Sequence, residues 1–403
     1  MRLLIISPTA HYIDKEGALK GHGATVKEIS YLATLFEHIT HIAPLYKGTP
    51  PKSFLSYTSD NIEFLPVLPA GGKNLTEKLK ILLRASGWIT TIKNTLKNRA
   101  FDLIHLRTPS SFSLVVLSFF KLSHIKTLKW IKFAGNWEDN SAESLAAKLQ
   151  KRIIKSGIYS SFVSVNYIKD LPNKNFIPFP NPSYYLSSYL EHKNIIQEKK
   201  LSSIINIAFV GNLYREKGIM ESLHIIKELL KKGIDLRFHI VGSGGLENMA
   251  REYVLNNNLD NKVIFHGPMP HEKVFDILKD SHFFLFPSYT EGWPKVLNEA
   301  MSMGAVPISS NVSIIPDVLS ACNCGFYAPY SHINAFVDGI IRYIEQPDLW
   351  KTASQNAYRY AVFFTYEYYG LKLTQVLNQY GFKVDEQRFE HIKNITKDIQ
   401  FPI

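Results

Sequence analysis

Cysteine is nearly absent from this sequence: its 403 residues include two, Cys322 and Cys324. A single residue separates them, which makes a poor disulfide, and no other Cys or His completes a zinc pattern. That excludes a disulfide-built scaffold and a zinc module, and it suits a reducing compartment with both thiols as small buried groups. Long hydrophobic runs are missing as well. The longest, Leu114–Phe120, is far below the roughly 20 residues a spanning helix needs. The opening Met1–Pro8 is apolar for too short a stretch to be a signal peptide and reads as a first buried strand. The expectation is a cytoplasmic protein, soluble or peripheral at the inner face of the cell membrane. Acidic residues are scarce in one part only: residues 1–180 hold 24 Lys and Arg against 12 Asp and Glu, whereas 181–403 hold 22 against 23. No nucleic-acid motif accompanies the net charge of +11, so nucleic acid is not an expected partner.

What is present is a repeated alternation of β-rich runs and amphipathic stretches. The first part offers strands at Leu3–Ile6, Ile39–Ile42, Leu103–Leu106, Leu128–Phe133 and Phe162–Val165. The second offers Ile205–Val210, Leu236–Val241, Lys262–His266, Phe283–Phe286 and Val306–Ser309. Such alternation predicts an α/β fold with two doubly wound parallel sheets. Their ligand sites are expected at the carboxyl ends of the strands. The Pro-rich run Ile177–Pro182 and the polar run Glu191–Ser203 place domains at 1–180 and 204–362 with a linker over 181–203. A C-terminal segment, 363–403, starts as an aromatic helix long enough to pack back across the first domain and becomes polar beyond about Asp385, with little to bury. Residues Lys78–Arg99 form an amphipathic helix with Lys78, Lys80, Arg84, Lys93, Lys97 and Arg99 among Leu79, Leu82, Leu83 and Trp88. Two readings of it stand: a helix lying on an anionic membrane, and a solvated face of a core-packed helix.

The sharpest motif runs from Ser288 to Met301, directly after the strand Phe283–Phe286. Gly292 allows close approach of a ligand to the main chain, and Pro294 suits the first turn of a helix. The N–H groups of Gly292, Trp293 and Lys295, around Pro294, would face sugar hydroxyls or phosphate oxygens at that helix N-terminus. Seven residues separate Glu291 from Glu299, so the two carboxylates reach different parts of one extended ligand. A second motif, Gly211-Asn212 through Arg215 and Lys217 to Gly218, joins a strand, a glycine turn and cations ahead of a helix. That is an anion-binding arrangement. Gly242 and Gly244 follow the strand Leu236–Val241, where a tight turn with no ligand is an equal reading.

Taken in order, Gly211–Gly218, Val241–Gly245, Val263–Gly267, Phe286–Ser288, Glu291–Met301, Gly304–Pro307 and Gly325–Pro329 resemble the retaining glycosyltransferases of family 4. The resemblance implies the GT-B fold, two Rossmann-like domains facing across a cleft. It implies a nucleotide-diphosphate-sugar donor in the second domain, with Glu299 on the ribose hydroxyls, Glu291 beside the transferred sugar, Lys217 neutralising the diphosphate, and His266 to Met269 flanking the base. Gly21 and Gly23 would approach the phosphates from the first domain, which would take a polyprenyl-linked or saccharide acceptor. The family needs no cofactor and no bound metal, and the chain has no Asp-x-Asp.

Two positions depart from the family pattern. Asn212 stands where an Arg is common, with Arg215 three residues on. Ala134, in Lys132–Glu138, stands where a His is common, leaving Asn136 to remake its contact; Trp137, His22 and His105 complete the sugar or acceptor candidates, with a turn or core histidine the favoured reading of His22 and His105. The leading function is hexosyl transfer in cell-surface polysaccharide biosynthesis. The alternatives are a catalytically silent nucleotide-sugar-binding scaffold subunit and a sugar-nucleotide epimerase. Whether Glu291 forms a covalent intermediate is open.

Overall fold

The computed structural model describes residues 1–70, 75–135, 137, 144–165 and 171–399. The chain divides into two compact units, Met1–Phe179 and Pro180–Ile403.

In the first unit the strands are β1 (Arg2–Ile6), β2 (His11–Ile13), β3 (Leu19–His22), β4 (His38–Tyr46), β5 (Phe54–Leu55), β6 (Ile62–Val67), β7 (Leu103–Thr108), β8 (Leu128–Phe133), β9 (Ser161–Val165) and β10 (Phe176–Pro178). The parallel run is β6-β4-β1-β7-β8-β9-β10. The chain moves outward one way from β1 and the other way from β7, so the order reverses between them. A small antiparallel extension, β2-β3-β5, joins the carboxyl end of β4. The sequence reading located β1, β4, β7, β8 and β9. It missed β6, whose run Ile62–Val67 contains Pro66 and Glu63, poor strand formers that an edge position tolerates.

The two faces of this sheet differ. One carries Leu4, Ile6, Ile42, Ile104, Leu106, Ile131 and Val163, packed with Trp88, Phe112, Val116 and Ile154 into an apolar core. The other sets His41, Ile5, His105, Trp130 and Phe162 in one row across neighbouring strands. Under the helix Gly23–Leu32, Glu28 takes bonds from Arg107 (2.8 Å) and Lys132 (2.7 Å) while only 1% exposed. The expected basic helix spans Leu75–Asn98. Trp88 is buried and donates to the Leu68 carbonyl, while Leu82 and Leu83 are 73% and 72% exposed. One face of this helix is therefore packed into the core and the other is solvated.

The second unit holds β11 (Ile205–Val210), β12 (Leu236–Val241), β13 (Val263–Gly267), β14 (Phe283–Phe286), β15 (Val306–Ser310) and β16 (Phe326–Ala328) in the all-parallel order β13-β12-β11-β14-β15-β16. The reversal here lies between β11 and β14. Ile207, Phe209, Phe238, Ile240, Leu285 and Ile308 build its core.

Residues 181–203 are not a bare connector. They form helices Leu186–Glu191 and Lys193–Glu198, and Tyr189 stacks on Tyr358 at 4.4 Å. Tyr184 donates to the Ala361 carbonyl at 2.7 Å. The aromatic helix Tyr366–Gln379 also clusters with the second unit. The polar tail buries more than its composition suggests, since Phe389 and Ile392 are 2% and 1% exposed. Two apolar residues spaced for one helical face suffice to dock a short helix.

Candidate functional site

Parallel sheets bind ligands where strand order reverses, beyond the carboxyl ends. In the second unit that point is reached by the loops after β11 and β14, and the sharpest motifs lie there. The loop after β11 makes a short 3-10 turn, Arg215–Lys217, ended by Gly218 in the left-handed region (φ +74°). The loop after β14 leads to Pro294, which caps the helix Lys295–Ser302.

These two loops are bonded together. Lys217 Nζ lies 2.5 Å from Glu291 Oε1. Ser288 Oγ is 2.8 Å from that same oxygen and 2.8 Å from the Glu216 carbonyl, and Tyr289 N–H donates to Glu216 O. The Glu291 side chain is 8% exposed, that of Lys217 27%. A carboxylate so enclosed has its Oε1 satisfied by the lysine and hydroxyl partners. From β15 and beyond, Ser310 donates to the Ser288 carbonyl and Ser313 to that of Gly292 at 2.9 Å. Both fix the loop that presents Glu291.

Glu299 lies inside the helix Lys295–Ser302, 8% exposed. His271, which sequence reasoning missed, meets its Oε1 at 3.0 Å through Nε2. His271 opens the helix His271–Asp280, and nothing in its local sequence marks it; only the fold brings residues 28 apart together.

Several of the glycines have a packing role. A Cβ at Gly242 (φ +128°) would sit 1.9 Å from the Gly211 carbonyl oxygen, at Gly244 2.5 Å from that of Leu213, and at Gly218 1.9 Å from that of Pro287. They let the loops stack on one another. A Cβ at Gly211, by contrast, would have open space, its nearest neighbour being the Phe209 ring at 4.0 Å. In the first unit a Cβ at Gly21 would meet His11 Nε2 at 2.5 Å, and one at Gly23 the Ser53 carbonyl at 2.6 Å. The space beside Gly21 and Gly23 is thus filled from within their own unit.

Other expected residues divide. Asn212 and Arg215 are exposed beside the site loops, Lys295 and Met269 half-buried. His266 is exposed and bonded to His239 at 3.0 Å. Burial lowers the pKa of both, His239 to about 4 with His266 as a second cause. Trp293 is a packing residue: its indole donates to Asn298 and stacks on Phe364 at 5.2 Å. Trp137 is likewise core, against Phe133 and Phe176 and 7% exposed. His105 is fully enclosed and stacked on Trp130 at 3.8 Å, so it is a core histidine rather than a surface sugar contact. Its pKa is driven well down by burial, then by Arg107. His22 is exposed ahead of the helix Gly23–Leu32. Asn136 lies outside the described residues. Among the described residues no group of three or more His, Cys, Asp or Glu is placed to hold a metal.

Residues 192–360 match the family model for glycosyl transferases group 1. That match lies within the second unit. The chain is 30% identical over 137 residues to the putative colanic acid biosynthesis glycosyltransferase WcaL of Escherichia coli, covering 32% of this chain and 34% of WcaL. It is 27% identical over 236 residues to the capsular polysaccharide biosynthesis glycosyltransferase CapH of Staphylococcus aureus, covering 54% of this chain and 61% of CapH. The matches thus span about a third to three-fifths of these relatives. The Anabaena protein HepE, solved in complex with UDP, superposes with a TM-score of 0.66 at 13% identity over 94% of this chain and all of HepE. The fold is that of the GT-B glycosyltransferases, two Rossmann-like units.

Proposed function

We propose that the chain is a retaining glycosyltransferase of cell-surface polysaccharide biosynthesis. It moves a sugar from a nucleotide-diphosphate donor to a saccharide or polyprenyl-linked acceptor. The observation that carries this is the cluster Lys217–Glu291–Ser288 at the strand-order reversal of the second unit, with Glu299 farther along the same motif. The family match and the relatives named for colanic acid and capsule support it.

The donor diphosphate sits at the N-terminus of Lys295–Ser302, where main-chain amides face it. Glu299 accepts hydrogen bonds from the ribose hydroxyls, steadied by His271. As the bond from the anomeric carbon to the phosphate oxygen breaks, negative charge builds on that oxygen and Lys217 stabilises it. The acceptor oxygen attacks from the face the leaving group departs from, its proton passes to the departing phosphate, and configuration is retained. Glu291 lies beside the anomeric carbon as a charged neighbour. The chemistry requires no metal, and activity is expected to survive chelator treatment.

Support for work at a membrane comes from the first unit. Leu82, Leu83 and Leu145 are 73%, 72% and 85% exposed, and Lys80 and Arg84 flank the first two in a strongly basic half of the chain. An anionic bilayer would take both the leucines and the charge.

Titration calorimetry with nucleoside diphosphates and their sugars tests the donor assignment, with Glu299→Ala alongside. Binding of one donor class, weakened by about 10- to 100-fold in the variant, is the expected result for a lost pair of bonds to a carboxylate. Equal binding by both proteins would remove Glu299 from the site. A sugar isomerised on its nucleotide would mean an epimerase, and donor binding with neither transfer nor hydrolysis would mean a scaffold.

A further inference from the structure

At the strand-order reversal of the first unit, the turn that leaves β1 borders a cavity of about 250 Å³. Its lining includes Pro8, Thr9, Thr25, Arg107, Thr108 and Lys132. Behind that turn five residues from separate parts of the sequence are hydrogen-bonded in a closed circuit. His11 Nδ1 lies 2.9 Å from the Thr9 carbonyl, and His11 Nε2 lies 2.8 Å from Tyr57 Oη. His41 Nδ1 is 2.8 Å from the same phenol oxygen, and His41 Nε2 is 2.8 Å from Ser7 Oγ. Thr9 N–H donates back to Ser7 Oγ at 3.3 Å.

One fixed point orders every proton in the circuit. A carbonyl accepts only, so His11 Nδ1 carries hydrogen and, in a neutral ring, Nε2 is a bare acceptor. Tyr57 must then donate its hydroxyl hydrogen to His11. Its oxygen accepts from His41 Nδ1–H, which leaves His41 Nε2 bare to accept from the Ser7 hydroxyl. Ser7 Oγ in turn accepts from Thr9. Five links use five hydrogens, all in one direction. Proton number six would leave a buried hydroxyl hydrogen with no acceptor in the circuit, a costly outcome in this interior. Burial acts the same way on both imidazoles, and at His41 the neighbouring His11, Arg107 and His105 add to it, favouring the neutral rings. The side chains that fit are narrow: Gly21 is required because any Cβ there would overlap His11.

The circuit begins and ends on Thr9, clamping both its N–H and its C=O. We propose that His11, His41 and Tyr57 are positioning residues whose one-directional ring fixes Thr9, and so sets one wall of the cavity that receives the acceptor saccharide. The cavity's occupant rests on the glycosyltransferase reading; the ring and its effect on Thr9 do not.

The first test needs no variant. In nitrogen-15 spectra of the imidazoles, His11 and His41 are expected as Nδ1–H tautomers, the reverse of the form free histidine favours, unchanged between about pH 8 and pH 5.5. An Nε2–H signal on either ring, or titration of either near its ordinary value of about 6.5, overturns the proposal. The second test compares threonine methyl spectra of the whole chain and of Tyr57→Phe. The methyls of Thr9 and Thr25 are expected to shift while those of Thr290 and Thr365 in the second unit stay in place. A folded Tyr57→Phe with an unmoved Thr9 would defeat the positioning role. Should that variant fail to fold, His41→Gln offers the same readout, because a glutamine cannot both accept from Ser7 and reach Tyr57 with imidazole geometry. Calorimetric nucleotide binding separates the two readings: its loss in wild type would sink the donor assignment and leave the ring standing.

Discussion

The two units share one strand order and use it differently. Around the reversal in the second unit, Ala208, Phe284 and Phe286 lie on one sheet face while the core residues fill the other, and the charged chemistry sits in the loops above. The same region of the first unit buries Ser7, His41, His105, Glu28 and Lys132 inside the fold. One unit keeps its charged groups on loops over an apolar base. The other builds them into the base, where each must find a partner. The loops are suited to gripping a ligand that comes and goes, and the buried ring to holding a wall still.

Four experiments bear on that contrast. Lys217→Ala should cost the most, about 10²- to 10³-fold in kcat, as for the loss of one group stabilising transition-state charge. Steady-state transfer assays check it, and an unchanged kcat would leave Lys217 as a loop tie only. Acid comes next. His11, His41 and His105 are neutral in the folded chain but bind protons below about pH 6.5 when unfolded. Their stabilisation is therefore complete above that pH and is lost as pH falls toward the folded values. His11, held neutral to about pH 4, accounts alone for about 3 kcal/mol of the loss. Denaturant melts from pH 7 to pH 4 measure it, and a flat profile would contradict the buried-base picture. Gly242→Ala forces a Cβ onto a carbonyl from a left-handed backbone and should cost about 1–3 kcal/mol, whereas Gly211→Ala should be nearly neutral; equal costs would refute the stacking account. His271→Ala is the mildest, about 0.5–1.5 kcal/mol in donor binding through a less ordered Glu299, read by calorimetry.

How much of this was legible varied with sequence distance. In the second unit Glu291, Ser288 and Glu299 lie within twelve consecutive residues, and a strand, a turn and a helix in succession already place them. Lys217 sits in its own strand-turn-helix run. The fold class followed from the same alternation. His271 was invisible because its partnership spans two helices, and Trp293 misled because its place beside the motif glycine hid its packing on Phe364. In the first unit the ring joins Ser7, His11, His41 and Tyr57 across a hairpin, a central strand and a loop. No local spacing encodes that. His105 is the core histidine that its apolar strand favoured, placed on the sheet face by strand register, while Trp137 is drawn in by aromatic packing.

The stacked turns after β11 and β12 carry an evolutionary consequence. Because Gly218, Gly242 and Gly244 are demanded by the neighbouring backbone, selection for a folded chain is enough to preserve them after catalysis has gone. A descendant that drifted into a purely architectural duty would keep its glycine signature and shed Glu291, Lys217 and Glu299. On the proposed function, living enzymes and retired ones in this lineage are therefore to be sorted by their acids and their lysine, with the glycines serving as a mark of ancestry.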